Sequence, residues 1–337
     1  MTPEIHLLTF PQPGSAGPVA ARFEGAGWDG LYMADTQNLA ADVHVSLALA
    51  AASTDRMTLA TGVTNPVTRH PAVTASSIAA VHAASGGRAV LGIGRGDSSL
   101  GYLGRKPAKV ADFEAYVTRV RGFLHGDEVD LGDAKSRNMW IAEQGLTPVP
   151  IDIAATGPKV TAIAARLADR VTFAVGADPV RLREAVHLVR KEREAAGLDP
   201  HSISVGAYVN AVAHPDANAA RELARGSTAT FAHFSGMDGA PTSSSTSDAA
   251  VYESLGADYD MAGHASAGSA HAAALPNEVI DRFAVAGPSA DCVARLSELV
   301  EAGADRLVLV PGSRDADRNE IVASIARLAS EVLPGLR

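Results

Sequence analysis

Short apolar runs alternate along the chain with segments whose apolar residues recur every three or four positions. The runs are Ile5 to Phe10, Trp28 to Met33, Met57 to Gly62, Arg88 to Ile93, Pro150 to Ala155, Val171 to Val175, Ile203 to Val209 and Arg306 to Val310. Each is bounded by glycine, proline or polar residues, so each predicts a buried strand. Between them Val110, Phe113, Val117, Val120 and Leu124 fall on one helical face, as do Val160, Ile163, Ala164 and Leu167, and then Leu182, Val186 and Val189. Charged residues take the other faces, which predicts helices packed by one side. Eight strands separated by helices predict an α/β protein, a (β/α)8 TIM barrel, with a doubly wound open sheet as the alternative.

The alternation lapses twice. Residues 125–148 read as irregular. From about 226 to 276 the composition turns to Gly, Ser and Ala, with SSSTS at Ser243 to Ser247, and reads as an insertion before the eighth strand. The whole chain, 1–337, is therefore expected to be one barrel domain carrying that insertion.

Composition narrows the role more than the fold. Hydrophobic residues make up 47% and charged residues 20%, as in globular proteins, and the net charge of −9 argues against a nucleic-acid partner. The single cysteine, Cys292, shares a helical pattern with Leu296 and Leu299 and is expected to be a packed thiol. No basic start precedes an apolar signal core, and no apolar run approaches about 18 residues, so no membrane association and a cytoplasmic location are expected. Histidines and carboxylates are too scattered for a metal site.

A barrel gathers its chemistry where the strands end. That singles out Asp35, Gly62 to Asn65, Gly94 to Asp97, Ala155 to Lys159, and Val175 with Gly176. In Gly92-Ile-Gly-Arg-Gly-Asp97 glycines let backbone approach a ligand, Arg95 can meet an anion and Asp97 can accept a hydrogen bond; a tight turn capped by Asp97 uses the same residues. The spacing is G-x-G-x-G and not the dinucleotide-binding G-x-G-x-x-G. Thr156-Gly157-Pro158-Lys159 places a proline where a helix begins, with free N–H groups and the helix dipole favouring an anion such as phosphate; an ordinary strand-to-helix turn is the alternative. Asp35 can fix a polar ring edge or cap a helix. His70, between Arg69 and Pro71, is a ligand, an acid–base group or a structural contact. Ser98 has no histidine and aspartate at a nucleophile elbow, which leaves hydrolase chemistry without support.

Gly62-Val-Thr-Asn-Pro-Val-Thr-Arg-His-Pro71, Ala72 to Ser76, Gly87 to Asp97, Ala155-Thr-Gly-Pro-Lys159, Ala168-Asp169 and Val175-Gly176 together resemble the bacterial luciferase-like superfamily. More narrowly, they resemble its deazaflavin-dependent branch, which includes the methylenetetrahydromethanopterin reductases. The resemblance implies a flavin or deazaflavin at the C-terminal face of a (β/α)8 barrel. It also implies a non-prolyl cis peptide at Gly62–Val63 backing the ring, with Thr64 and Asn65 beside it. Asp35, Gly94 and Asp97 then lie near the ring. The phosphate meets Gly157, Pro158 and Lys159 together with Gly176, and Ala155, Thr156 and Val175 also line the cofactor. The reductases carry a glutamate where this chain has Leu8, which implies the same cofactor with a different organic small-molecule substrate. The implied activity is hydride transfer at C5 of coenzyme F420, with Asp97 and then His70 as candidates for handling the proton. The 226–276 insertion is a candidate lid, and a homodimer is implied. An FMN-dependent monooxygenase and a non-catalytic flavin-binding barrel are the alternatives.

Overall fold

All eight apolar runs become parallel strands. The computed structural model describes residues 2–236 and 259–337. In chain order the strands are β1 (Glu4–Thr9), β2 (Gly30–Met33), β3 (Thr58–Thr61), β4 (Ala89–Ile93), β5 (Val129–Asp130), β6 (Lys135–Ser136), β7 (Ile151–Ala155), β8 (Arg170–Phe173), β9 (Ser204–Ala213), β10 (Ala284–Gly287) and β11 (Arg306–Val310). The ladder β1-β2-β3-β4-β7-β8-β9-β11 is parallel throughout and closes when β11 pairs with β1. This is the predicted (β/α)8 barrel.

The two-residue period of a strand explains why the runs are continuously apolar. Ile5, Leu7, Leu31, Leu59, Leu91 and Leu307 face outward into the layer beneath the helices. Leu8, Tyr32, Ala60, Val90, Tyr208 and Val308 belong to a second apolar cluster, which fills the lumen. Cys292 lies in the outer layer, where burial pushes its thiol up to about 11, as befits a packed thiol.

One level of the lumen is polar. Asp152 accepts hydrogen bonds from Tyr32 Oη at 2.9 Å and Thr172 Oγ1 at 2.8 Å, and the Arg306 guanidinium stands 3.3 Å away. Arg306 and Asp152 are each 1% exposed. Gly206 makes room for the guanidinium, since a Cβ there would lie 2.9 Å from Arg306 Nη2.

Two boundaries differ from the sequence reading. Gly226 is not where the barrel pattern ends: helix α9 (Ala217–Gly236) runs through it, although glycine is a poor helix former. The reason is close approach, because a Cβ at Gly226 would lie 2.4 Å from Ala267 N. The pattern also misses β10, which pairs with β9 over Asn210 to Ala213, beyond the stretch that pairs with β8. Ser243 to Ser247 lie outside the described residues. Within 125–148 a two-strand hairpin and a short helix, Met139–Gln144, interrupt the irregular path. Among the described residues no helix is long and apolar enough to cross a membrane.

Removing one member of a buried ion pair strands the other charge. Arg306→Met is expected to lower stability by about 3–5 kcal/mol, measured by urea unfolding. Combining it with Asp152→Leu is expected to recover part of that loss.

Candidate active site

The mouth of the barrel is shaped by a break in β3. After Thr61 the Gly62 amide donates to Met33 O at 2.7 Å, and the Gly62–Val63 peptide is cis, as the resemblance implies. The chain then rejoins β4: Thr64 N donates to Gly92 O at 2.9 Å and Gly94 N to Thr64 O at 3.0 Å. Only glycine fits at 92, where a Cβ would lie 1.9 Å from Thr61 O, and at 94 a Cβ would come within 3.2 Å of Val63. Leu8 stands directly below, 3.4 Å from where a Cβ on Gly62 would be. The alternating glycines of the Gly92 stretch thus serve the seating of this bulge.

Asp35 proves to be a brace. It is 6% exposed, and its Oδ2 accepts from Thr64 Oγ1 at 2.6 Å and from Arg69, while Oδ1 accepts from Arg69 Nη2 at 3.2 Å. Arg69 also reaches Asp42 at 3.2 Å, and Asp42 caps helix α2 (Val43–Ala51) through His44 N and Val45 N. Asn65 Oδ1 accepts from Val67 N and Thr68 N, which folds the loop beyond the bulge. His70 is exposed, and its Nδ1 accepts from Ala72 N, capping helix α3 (Pro71–Ala84). That placement matches the structural alternative for His70. A cavity of about 490 Å³ lined by Gln37, Thr68, Arg69, Leu103 and Arg105 opens beside these loops.

Asp97 differs from these. It follows Gly96, whose φ of +86° calls for glycine, and its Oδ2 is buried with no hydrogen-bond partner among the described residues. That oxygen faces His233 Nε2 at 3.8 Å, and His233 Nδ1 is likewise buried and unpartnered. Arg95 ties the loop to Ala108 O at 2.8 Å through its Nε.

His233 stands near the end of α9 under a strap formed by residues 259–275. Tyr259 stacks on the His233 ring at 3.9 Å with planes 13° apart. The Tyr259 hydroxyl lies 2.7 Å from His264 Nδ1 and 3.1 Å from Thr230 Oγ1. Burial depresses the His264 imidazole to about 4, so it is neutral at physiological pH. Asp315 holds the strap by accepting from Ser266 Oγ, Ala267 N and Gly268 N. Arg314 joins it to the loop after β4 by donating to Tyr102 Oη at 2.9 Å and Ala262 O at 3.1 Å. His233, Tyr259 and His264 escaped the sequence reading because they fall in the stretch read as an insertion. The available signal was their chemistry: aromatic rings and histidines within a run otherwise built of small residues.

The start of α7 lies apart from these residues. Helix α7 (Pro158–Leu167) begins with Gly157 as N-cap and Pro158 at its first position, with no side chain capping it, and Lys159 is exposed beside it. Ala155 is buried at the end of β7 and Thr156 is half-buried. Gly176, with φ +85°, follows Val175 after β8, and a Cβ there would lie 2.9 Å from the Phe283 ring. Because β3, β4, β7 and β8 are consecutive in the ladder, these features succeed one another around the mouth from the bulge through Asp97 to Gly157 and Gly176. The buried orphan oxygen of Asp97 and the uncapped N–H groups of α7 fit a ligand with a polar ring edge and a phosphate.

Gly92→Ala is expected to abolish soluble folded protein or to lower its melting temperature by at least about 10 °C, since backbone must move to admit the methyl group. The His264 shift sets a second expectation. Its folded value lies below the ordinary 6.5, so between pH 6.5 and 4 the unfolded chain binds more protons and stability falls as the pH falls. The loss amounts to about 3 kcal/mol at most. Urea melts from pH 7.5 to 4.5 should show a slope that His264→Asn flattens; an equal slope in both proteins refutes this account.

Known proteins share this architecture. The profile of the luciferase-like monooxygenase family matches residues 5–306. The 5,10-methylenetetrahydromethanopterin reductase of Methanolobus tindarius is 30% identical over 298 residues, which cover 85% of this chain and 86% of that protein. The solved coenzyme F420-dependent tetrahydromethanopterin reductase of Methanopyrus kandleri superposes with a TM-score of 0.76 at 22% identity, covering 100% of both chains. An F420-dependent secondary alcohol dehydrogenase, solved with an F420–acetone adduct, superposes with the same TM-score at 19% identity, again over 100% of both chains. With the family profile matched over most of its length, this chain belongs to the bacterial luciferase-like family.

Proposed function

We propose that this protein is an F420-dependent oxidoreductase that transfers hydride to or from an organic small molecule. The observation that carries the reading is the chain-long similarity to a methylenetetrahydromethanopterin reductase. The glycine-seated bulge after β3 and the Asp97 oxygen left without a partner among the described residues support it. When bound, the deazaflavin supplies the hydride chemistry at C5.

The chain's own part is to hold, orient and enclose. Val63, Thr64 and Gly94 back the ring through the bulge, which Asp35 and Arg69 keep in shape. Gly157, Lys159 and Gly176 take the phosphate at the start of α7, where the N–H groups and the lysine charge act together. The strap from Tyr259 onward keeps water from the mouth, so electrostatic contacts inside are stronger than in bulk water. Leu8 lies in the apolar lumen, so the chain offers no carboxylate at the position where the resembling reductases carry glutamate. A substrate other than a methylene-pterin follows.

Fluorescence titration tests the reading. F420 is expected to bind saturably and FMN more weakly, and Lys159→Ala should raise the F420 Kd about tenfold, the loss of one exposed cation at an anion site. Saturable FMN binding without F420 binding refutes it.

A further inference from the structure

The loop beyond β4 carries a charge opposite to that of the chain as a whole. The net charge is −9, yet residues 95–109 hold Arg95, Arg105, Lys106 and Lys109 against Asp97 as the single acid. Such a reversal concentrates positive potential at one place on the surface. The loop is folded, not loose: Arg95 Nε donates to Ala108 O at 2.8 Å, Ala108 N to Arg95 O at 3.0 Å and Arg105 N to Leu100 O at 2.9 Å. Exposed cations elsewhere find carboxylates, as Lys135 does with Glu128 and Arg166 with Glu114. Arg105, Lys106 and Lys109 are exposed and reach no carboxylate among the described residues.

Arg105 lines the cavity of about 490 Å³ together with Gln37, Thr68, Arg69 and Leu103. These residues come from the loops beyond β2, β3 and β4, so the cavity opens on the same face of the barrel as the mouth. Gln37 Nε2 donates to Ser99 O at 2.8 Å, which ties two of the three loops together. Asp35 and Asp42 fix the Arg69 guanidinium through three of its five N–H donors. Leu103, 46% exposed, adds an apolar wall. Cations beside an apolar wall suit an organic anion. Charge decides which anion. Asp35 and Asp42 offset Arg69 in full, so the uncompensated charge on the walls is that of Arg105. One positive charge balances a carboxylate and falls short of a phosphate monoester, which carries about 1.5 to 2 negative charges at neutral pH.

We propose that this cavity is a carboxylate-binding subsite for the substrate, with Arg105 as its specificity-determining residue, and that the substrate is therefore an organic acid. The inference rests on the F420 reading above and deepens it by naming the substrate class. The carboxylate meets Arg105, and the carbon chain lies against Leu103. The cavity belongs to the arc of β2, β3 and β4, whereas the start of α7 lies beyond β7, so the cofactor phosphate and the substrate carboxylate have separate places.

The test uses the full chain, first without cofactor. Arginine Nε–Hε resonances are followed during titration with butyrate, with inorganic phosphate and with butan-1-ol. Butyrate is expected to shift the Arg105 signal saturably, with a Kd of about 1 mM; that signal is assigned by its loss in Arg105→Gln. Saturation-transfer NMR on butyrate itself should show its Kd rising about tenfold in Arg105→Gln and only about threefold in Arg105→Lys, which keeps the charge. Butan-1-ol, without a carboxylate, should not bind. F420 titrated by fluorescence should bind Arg105→Gln within about twofold of wild type, and butyrate should still bind once F420 is in place. Circular dichroism and melting temperature confirm that each variant folds; Arg69 is left unchanged because it braces Asp35. A butyrate Kd equal in wild type and Arg105→Gln, or no saturable shift, overturns the subsite. Tighter binding of phosphate than of butyrate overturns the carboxylate class. Loss of butyrate binding when F420 is bound gives the cavity to the cofactor and overturns the substrate role. Each of these leaves the F420 reading standing. Absence of F420 binding removes that reading and the substrate role together, whatever butyrate does.

Discussion

A carboxylate and a guanidinium can lie inside a barrel only if each answers the other. Asp152 and Arg306 are both 1% exposed, and around them Tyr32 and Thr172 donate into the carboxylate while Gly206 vacates the space the guanidinium fills. The strands they join, β7 and β11, are far apart in sequence and are separated in the closed ladder by β8 and β9, while Tyr32 comes from β2 across the lumen. The pair therefore has its partners only when the barrel is closed, and replacing either residue alone leaves a charge with neither water nor counter-ion. Above this polar level Leu8, Tyr208 and Val308 fill the lumen with apolar side chains, so the mouth is built on a solid floor.

On that floor the loops divide the work by position around the ring of strands. Beyond β3 and β4 the backbone departs from regular pairing, with a cis peptide and glycines set where a Cβ would collide with the chain opposite. Beyond β7 and β8 a helix start and a positive-φ glycine present backbone N–H groups instead. A flat group toward one arc and an anion toward the other suit a ligand with a ring at one end and a phosphate at the other. Neither arc needs a metal or a nucleophile to do this.

The barrel was legible because both faces of every strand are buried, which makes each strand a run of apolar residues that stands out from the helical periodicity around it. The cis bulge was legible only through resemblance, since no periodicity predicts a cis bond at Gly62–Val63, whereas the start of α7 was read from Gly157-Pro158-Lys159 itself. Two physical effects hid the rest. Gly226 reads as a break, yet it is glycine because Ser266 and Ala267 cross the helix at that point, a contact between segments forty residues apart. β10 is four residues long and pairs only with the far end of β9, so its pattern is too short to separate from the helix before it. Asp35 and His70 carry the right chemistry in the right loops, and only coordinates show that Arg69 and Ala72 N already engage them.

The distinction between scaffold and site follows from what each polar group has left to give. A carboxylate whose lone pairs are taken by Thr64 and Arg69 cannot also accept a substrate proton without releasing a loop, and a histidine that caps a helix gives up the cap if Nδ1 is protonated. Asp97 has no such obligation, and neither does His233. Of the polar side chains singled out from the sequence, Asp97 alone keeps a buried oxygen without a partner among the described residues, and the residue it faces came from outside that set. The strap that brings Tyr259 onto His233 is anchored by Asp315 and Arg314, which lie beyond β11, while Asp97 lies beyond β4. The pair is thus assembled by three separate stretches of chain that meet only across the closed mouth, so the geometry of His233 depends on barrel closure as much as on its own helix.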